Sequence, residues 1–266
     1  MSQLTLVGLS YSPWTERARW ALAHHGIAYR YREHVPMVGE PALRLRARAP
    51  RGERVSVPLL VHPGGVVRDS VEIMRFADAH GGGPSLGASA PDTERWASRV
   101  EVGLAATRAR VTAAILADPE ALRESVLPLA PGPLAHLMKP AGALGARFVA
   151  RKYGADLGDG ARHEATLRAV LTDLRGALSG REHLRGDAFS ACDILAATLL
   201  QGVAPVSHPR VRLLPAQRAA WTHVGLADEF ADLVGWRDRL YAASDAAARV
   251  RIAPAEGSVS APRAPA

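Results

Sequence analysis

The chain has 266 residues, of which 48% are hydrophobic and 5% aromatic, and its formal net charge is +7. This length allows one large domain or two smaller ones and a sizeable buried core. The single cysteine, Cys192, excludes an internal disulfide framework and a CxxC redox or zinc motif. The sequence has no apolar run of about 18 residues that could span a membrane. Its first ten residues also lack the features of a secretion signal, so we expect a soluble cytoplasmic protein with no membrane partner.

The positive charge is almost entirely arginine, because Lys139 and Lys152 are the only lysines. A basic chain can bind nucleic acid, anionic lipid or small anions. It can equally reflect an arginine-rich genome, and composition leaves both interpretations open. The arginine-rich stretch 44–54 has no interleaved aromatic residues, so we expect no nucleic-acid partner. The histidines show no metal-ligand spacing, so we also expect no metal.

The first 80 residues alternate short β-rich apolar runs with helical stripes, which is typical of a compact α/β unit. Gly26 and the glycines at 81–83 are natural helix stops. The predicted elements are a strand at 4–9, a helix at 13–25, a strand at 27–35, a loop or short helix at 36–54, a hairpin at 57–67 and a helix that begins at Asp69 or Ser70.

A stretch rich in Gly, Ser, Pro and Ala follows and predicts a linker at 84–91, beyond which we find no convincing strand. The sequence therefore predicts an α/β domain at 1–83, an all-helical domain at 92–250 and a disordered tail at 251–266. The predicted helices of the second domain lie at 92–117, 163–178, 190–201 and 228–242, with two short helices within 124–160. The buried face predicted for the first of them consists of Trp96, Val100, Leu104, Val111 and Ile115.

Hydroxyl side chains crowd the junction between the first strand and the first helix, in the sequence LSYSPWTERARWAL at 9–22. Ser12 could cap the helix, with Pro13 as its first residue. A hydroxyl at a helix N-terminus could also hold an anion or a thiolate, because the N-terminus carries partial positive charge.

Pro58 opens a predicted strand, where proline is tolerated because it donates no ladder hydrogen bond. It could be an ordinary trans proline. Alternatively, the Val57–Pro58 bond is cis and turns the Val57 main chain outward to pair with a peptide-like ligand.

The pair Asp69-Ser70 lies where the hairpin meets a helix. Asp69 and Glu72 could form a capping box. The same helix N-terminus could instead bind a ligand carboxylate, with Asp69 holding an ammonium group nearby.

The sequence FSACDILAATLL at 189–200 predicts a capped core helix, with Ser190 as N-cap and Asp193 as its reciprocal partner. Cys192 lies in the first turn, where an exposed thiolate would be favoured. Its apolar neighbours instead favour burial and an inert role.

These motifs occur in a fixed order: SPWTERARWAL, then VPLL, then DS at a helix start. In this order they resemble the thioredoxin-like N-terminal domain of the cytosolic glutathione S-transferase superfamily. The serine-proline start is similar to plant and bacterial members of the serine, tau or omega type, and SACD resembles the family's helix-capping motif. The resemblance covers about residues 4–245. It implies a thioredoxin-like domain followed by an all-helical domain.

The resemblance implies that glutathione is the co-substrate and that Ser12 activates its thiol. It implies that the Val57 main chain pairs with the cysteinyl unit beside Pro58, a cis proline in the family. Asp69 and Ser70 then hold the γ-glutamyl end. In the family, the residue at 69 is usually Glu or Gln, which is longer than Asp.

Three further residues complete the candidate binding set. Arg54 takes the place of the family's basic residue that meets the glycyl carboxylate. The loop before Pro58 is longer between Gly52 and Val57 than is usual in the family. Tyr11 precedes Ser12, and Trp14 follows it by two residues. Trp14 could line the glutathione pocket or, in a protein without the chemistry, fill it.

The sequence leaves two functions open. One is an enzyme that presents the glutathione thiolate to a hydrophobic electrophile, with residues 124–160 helping to wall the second site. The other is a binding or structural protein that keeps the fold without the chemistry. Thiol–disulfide exchange would need a cysteine near residue 12, which the chain lacks. The resemblance also implies a homodimer with the long helix 92–117 at its contact.

Overall fold

The structure of the protein is a computed structural model that describes residues 4–127 and 134–252, with side chains as far as residue 246. One mixed sheet forms the first part of the chain. Its strand order is β2-β1-β3-β4, with β1 parallel to β2 and antiparallel to β3, and β3 antiparallel to β4. The strands are β1 (Thr5–Gly8), β2 (Arg30–Glu33), β3 (Leu59–His62) and β4 (Gly65–Arg68).

Three helices belong to the same α/β unit as this sheet: α1 (Pro13–His24), α2 (Glu40–Arg46) and α3 (Ser70–His80). The strand–helix–strand start and the hairpin are confirmed, and the stretch 36–54 contains the short helix α2. The buried face of α2 and the adjoining loop pack on the sheet through a small cluster that includes Val7, Leu43 and Leu59. Since α1 and α3 pack against each other in the separate main core, the unit has the layers of a thioredoxin-like fold.

Helices also make up the regular structure in the described residues beyond His80. They are α4 (Pro91–Ala117), α5 (Pro119–Val126), α6 (Leu134–Leu137), α7 (Lys139–Tyr153), α8 (Gly160–Ala177), α9 (Ala191–Leu199), α10 (Pro215–Trp221), α11 (Val224–Glu229) and α12 (Ala231–Ile252). This arrangement confirms an α/β unit followed by an all-α unit.

The centre of the helical part is α9, in which every residue is buried. The Asp193 carboxylate accepts hydrogen bonds from the amide and hydroxyl of Ser190, at 2.8 Å each, and from the Leu184 amide at 2.8 Å. The predicted reciprocal cap is therefore confirmed. Cys192 is fully buried beside it, and burial raises the pKa of its thiol, which agrees with the inert role.

A single core cluster joins the two parts of the chain, since it contains Leu6 and Trp20 together with Leu195 and Trp236. The boundary at 84–91 therefore stays a prediction. The sequence pattern did not predict α10. It predicted only short helices where α7 lies, because Gly142 and Gly145 lower the helical propensity of residues 139–153. The helix predicted at 228–242 is interrupted at Phe230, between α11 and α12. Beyond Ile252 the predicted disordered tail lies outside the described residues.

Candidate functional site

A cavity of about 540 Å³ lies between the sheet unit and the helical part. One wall comes from the start of α1, the loop before β3 and the start of α3, and we call it the sheet wall. The other comes from α4, α5, α7 and Trp221 of α10, and we call it the helical wall. The sheet wall carries seven of the eight site residues predicted from the sequence, namely Tyr11, Ser12, Trp14, Val57, Pro58, Asp69 and Ser70.

Ser12 is the N-cap residue of α1, with extended backbone angles (φ −81°, ψ 128°) and Pro13 as the first helical residue. Its carbonyl accepts the first helical hydrogen bond, from Glu16 N at 3.0 Å. The Ser12 hydroxyl, however, makes no capping hydrogen bond. The residue is only 7% exposed and lines the cavity, so its hydroxyl is available to a ligand at the positive end of α1.

The Val57–Pro58 peptide bond is cis, which confirms the sequence prediction. Val57 lies before the first residue of β3 and lines the cavity. Within the described part of the chain, the Val57 amide and carbonyl form no main-chain hydrogen bond. Both groups can therefore pair with an extended ligand.

Asp69 is the N-cap of α3 at a positive φ of 74°, and its Oδ1 accepts a hydrogen bond from Val71 N at 2.7 Å. The capping box predicted with Glu72 is wrong, because the Glu72 carboxylate pairs with Arg75 instead. Ser70 is 1% exposed, and its hydroxyl oxygen is buried at the cavity without a hydrogen-bond partner among the described residues. An unpaired buried hydroxyl costs free energy, which a polar ligand group would recover.

Arg54 is exposed and does not contribute to the cavity lining. Burial raises the pKa of Tyr153, which does line the cavity, while the charges of Arg108 and, to a smaller extent, Arg54 act in the opposite direction. Tyr11 lines the cavity beside Ser12, and burial raises the pKa of its phenol to about 12. Tyr11 therefore keeps its proton at neutral pH.

Trp14 connects the two walls of the cavity. Its indole Nε1 donates to the Glu101 carboxylate of α4 at 2.8 Å. The Arg108 guanidinium, two turns after Glu101 on α4, lies 4.2 Å from the Trp14 ring centroid and 4.2 Å from that of Tyr153 on α7. Burial lowers the pKa of Arg108, which nonetheless stays a cation.

A second polar cluster lies at the edge of the cavity. The Lys152 ammonium group is paired with both Glu40 oxygens, at 2.8 and 2.9 Å, and this ion pair joins α7 to α2. His34 Nε2 lies 3.3 Å from Glu40 Oε1. Burial lowers the pKa of His34, so its neutral form prevails at neutral pH.

The rest of the helical wall is mainly apolar, and residues from 124–160 contribute to it as the sequence analysis expected. Its main apolar side chains are Leu104, Val111, Ile115, Val126, Met138, Phe148, Val149 and Trp221. Such a surface offers a place to an apolar or aromatic molecule next to the polar sheet wall.

The polar residues of the helical wall were not among the site residues predicted from the sequence. Arg108 left one signal, since it interrupts the predicted apolar stripe of α4 four residues after Leu104 and three before Val111. Glu101, Lys152 and Tyr153 left none, because they reach the cavity only through the packing of α4 and α7.

Two features are absent from the described residues, 4–127 and 134–252. No group of three or more His, Cys, Asp and Glu side chains there could hold a metal ion. No helix in those ranges is long and apolar enough to cross a membrane.

Residues 11–80 match the family model described as the N-terminal domain of glutathione S-transferase. A probable glutathione S-transferase of Nicotiana tabacum is 33% identical over 86 residues, which are 32% of this chain and 37% of the relative. One of Solanum tuberosum is 30% identical over 86 residues, or 32% of this chain and 38% of the relative. The match thus spans little more than a third of each plant protein.

The fold resembles solved structures over nearly the whole chain. Rice GST1 in complex with glutathione has a TM-score of 0.56 at 18% identity, covering 95% of this chain and 92% of the rice protein. The beta-etherase LigF from Sphingobium sp. strain SYK-6 has a TM-score of 0.58 at 16% identity, covering 94% and 100%. At these identities the likeness shows the fold alone.

The family match therefore falls on the unit that forms the sheet wall, and the shared fold extends through the helical part. On these findings, residues 11–80 are similar to the N-terminal domain of glutathione S-transferases, and the chain as a whole shares the fold of the solved structures.

Proposed function

We propose that the protein is a glutathione transferase that joins the glutathione sulfur to a hydrophobic electrophile. The observation that carries the proposal is the Ser12 hydroxyl: it is buried in the cavity wall at the start of α1, yet it makes no capping hydrogen bond. A serine that served only the helix would use this hydroxyl as a cap.

In the proposed reaction, the Ser12 hydroxyl donates a hydrogen bond to the sulfur of bound glutathione. This bond and the positive end of α1 favour the thiolate over the thiol, and the thiol proton passes to solvent. The thiolate attacks the electrophilic carbon and forms a C–S bond. The leaving group departs with the electron pair of the bond that breaks.

The sheet wall offers matching groups along the rest of glutathione. The unbonded Val57 main chain would pair with the cysteinyl unit, as an added strand does. The orphan Ser70 hydroxyl and the N-terminus of α3 would meet the γ-glutamyl carboxylate, with Asp69 beside its ammonium group. Arg54 stays a proposal for the glycyl end. On this account residues 1–83 form the glutathione-binding domain, and the helical wall binds the electrophile.

The proposal predicts that Ser12→Ala lowers kcat for conjugation of 1-chloro-2,4-dinitrobenzene by about 10- to 100-fold, the effect of losing one hydrogen bond to a charged group. Glutathione affinity, measured by calorimetry, should change little, because the other contacts remain. The melting temperature should also stay the same, since the hydroxyl does not cap α1.

Ser190→Ala is the matched control, because it removes a serine hydroxyl from an N-cap far along the chain and outside the cavity lining. It should lower the melting temperature and leave kcat unchanged. If wild type binds glutathione but conjugates nothing, the non-catalytic binding protein is the correct account. If Ser12→Ala lowers stability and leaves conjugation intact, the catalytic role of Ser12 is wrong.

We also propose that the chain forms a homodimer in which the sheet unit of one subunit meets the helical part of the other, with α4 at the contact. Sedimentation equilibrium at micromolar concentration should give twice the chain's mass of 28.2 kDa. A mass of one chain under these conditions contradicts the proposal.

A further inference from the structure

Among the described residues of the helical wall, Arg108 is a cation whose charge is only partly balanced. Arg108 lines the cavity with 18% of its side chain exposed, and its only carboxylate neighbour in residues 4–127 and 134–246 is Glu101, with Nη2 4.0 Å from Oε1. That separation is too long for a hydrogen bond. Within the same ranges the Arg108 guanidinium donates no hydrogen bond.

Glu101 is also shared with other groups. Its Oε2 accepts from Trp14 Nε1 at 2.8 Å and lies 3.9 Å from Nη1 of Arg17, which is 2% exposed. One carboxylate therefore faces two guanidinium groups. Asp69 also acts on Arg17, whereas Glu101 is the one carboxylate among the described residues that acts on Arg108. Lys152, a second lysine or arginine among the described residues of the cavity lining, differs because its ammonium group donates to both oxygens of Glu40.

The surroundings of Arg108 determine what it can bind. The rings of Trp14 and Tyr153 both pack against the guanidinium. Its N–H groups can therefore still donate hydrogen bonds to a ligand. The chain continues along α4 with Val111 and Ile115, which are apolar and line the same cavity. A guanidinium fork at the margin of an apolar slot matches a flat apolar molecule that ends in a carboxylate or sulfonate.

We propose that Arg108 selects electrophiles that carry an anionic group, so that the second substrate of this protein is an apolar organic acid. The inference rests on the proposed function for the reaction, and on the cavity itself for the binding. The acid group lies against Arg108, the apolar body lies along α4 and α7, and the electrophilic carbon faces the sulfur held at Ser12. The reaction is the one given above, with the acid group unchanged by it.

Matched pairs of compounds test this selection. The reactive pair is 4-chloro-3,5-dinitrobenzoate and its methyl ester, in which the glutathione sulfur replaces chlorine and chloride leaves with the C–Cl electrons. The unreactive pair is 3,5-dinitrobenzoate and its methyl ester, whose binding is measured by calorimetry without any reaction. In wild type we expect the acid of each pair to be favoured over its ester by about tenfold or more, in kcat/KM or in affinity.

Arg108→Gln should lower kcat/KM and affinity for the acids by about 10- to 100-fold. For the esters, the same quantities should fall by less than about threefold. Because the ratio of acid to ester is measured within one variant, a general loss of folded protein cancels. Arg95→Gln is the matched control: Arg95 lies on the same helix, pairs with Asp92 and has a side chain that is 74% exposed. It removes the same charge and should leave the ratio as in wild type.

Three outcomes would overturn the proposal. In the first, wild type has the same kcat/KM and affinity for an acid as for its ester. In the second, Arg108→Gln lowers these quantities equally for both members of a pair. In the third, Arg108→Gln lowers the affinity for glutathione, which would assign Arg108 to the first substrate. If the unreactive acid is selected and no compound is conjugated, the proposed function fails while the anion site at Arg108 stands.

Discussion

The two walls of the cavity are built in different ways. The sheet wall comes from short local segments, in which Ser12, the Val57–Pro58 bond and Ser70 each lie at the end of a strand or the start of a helix. The helical wall comes from α4, α5 and α7, whose contacts join residues far apart in sequence, such as Arg108 and Tyr153. The position of the sheet-wall residues therefore depends on local chain geometry, whereas that of the helical-wall residues depends on the packing of helices that are distant in sequence.

The largest effect should come from the support that both walls share. The helix α9 packs against α1 behind the sheet wall and against α4 of the helical wall. Asp193→Ala would leave the buried amides of Leu184 and Ser190 without their acceptor, so we expect a loss of about 3 kcal/mol in the free energy of unfolding. Urea denaturation measures this loss. Ser190→Ala should cost only about 1 kcal/mol, and equal losses for the two variants would contradict the role given to Asp193.

A pair of glycines compares the packing of the two walls directly. A Cβ at Gly8, where β1 ends, would collide with the Thr15 side chain, whose Oγ1 accepts from Leu9 N at 3.1 Å. Gly8→Ala should therefore destabilise the protein by about 1–3 kcal/mol and lower glutathione affinity, because it displaces the segment that leads to Ser12.

Gly145 of α7 is the matched control on the helical wall, since a Cβ there meets nothing within 4 Å. Gly145→Ala should stabilise the protein by about 0.5–1 kcal/mol, as Gly-to-Ala exchange does inside helices. Thermal unfolding of both variants measures the contrast. Equal effects of the two substitutions would show that the walls do not differ in tightness of packing.

The same contrast explains how much could be predicted from the sequence. The strand, turn and helix signals around Ser12, Pro58 and Asp69 are local, because capping residues and prolines act on their immediate neighbours. Of the eight site residues predicted from these signals, seven line the cavity, and Arg54 is the exception. Arg54 lies in the stretched loop before Pro58, where no regular element fixes the direction of a side chain.

Two predictions of helix capping, at Asp69 and at Ser12, were wrong or incomplete because other groups determine where a side chain forms its hydrogen bond. Glu72 could have completed a capping box with Asp69, but Arg75, three residues along the same helix, competes for its carboxylate. Ser12 occupies the N-cap position without using its hydroxyl as a cap. A capping motif identifies the position of a side chain, whereas its hydrogen-bond partner depends on the tertiary surroundings.

The most direct test of the central claim, that Ser12 stabilises a ligand thiolate, is the pKa of the glutathione thiol in its complex with the protein. It can be measured by titrating the ultraviolet absorbance of the thiolate for wild type and for Ser12→Ala. A free thiol titrates at a pKa of about 8.5. Since a hydrogen bond to the thiolate favours the charged form, the pKa should be lower in the wild-type complex and should rise towards the free value in Ser12→Ala. The same pKa in both complexes would contradict the account.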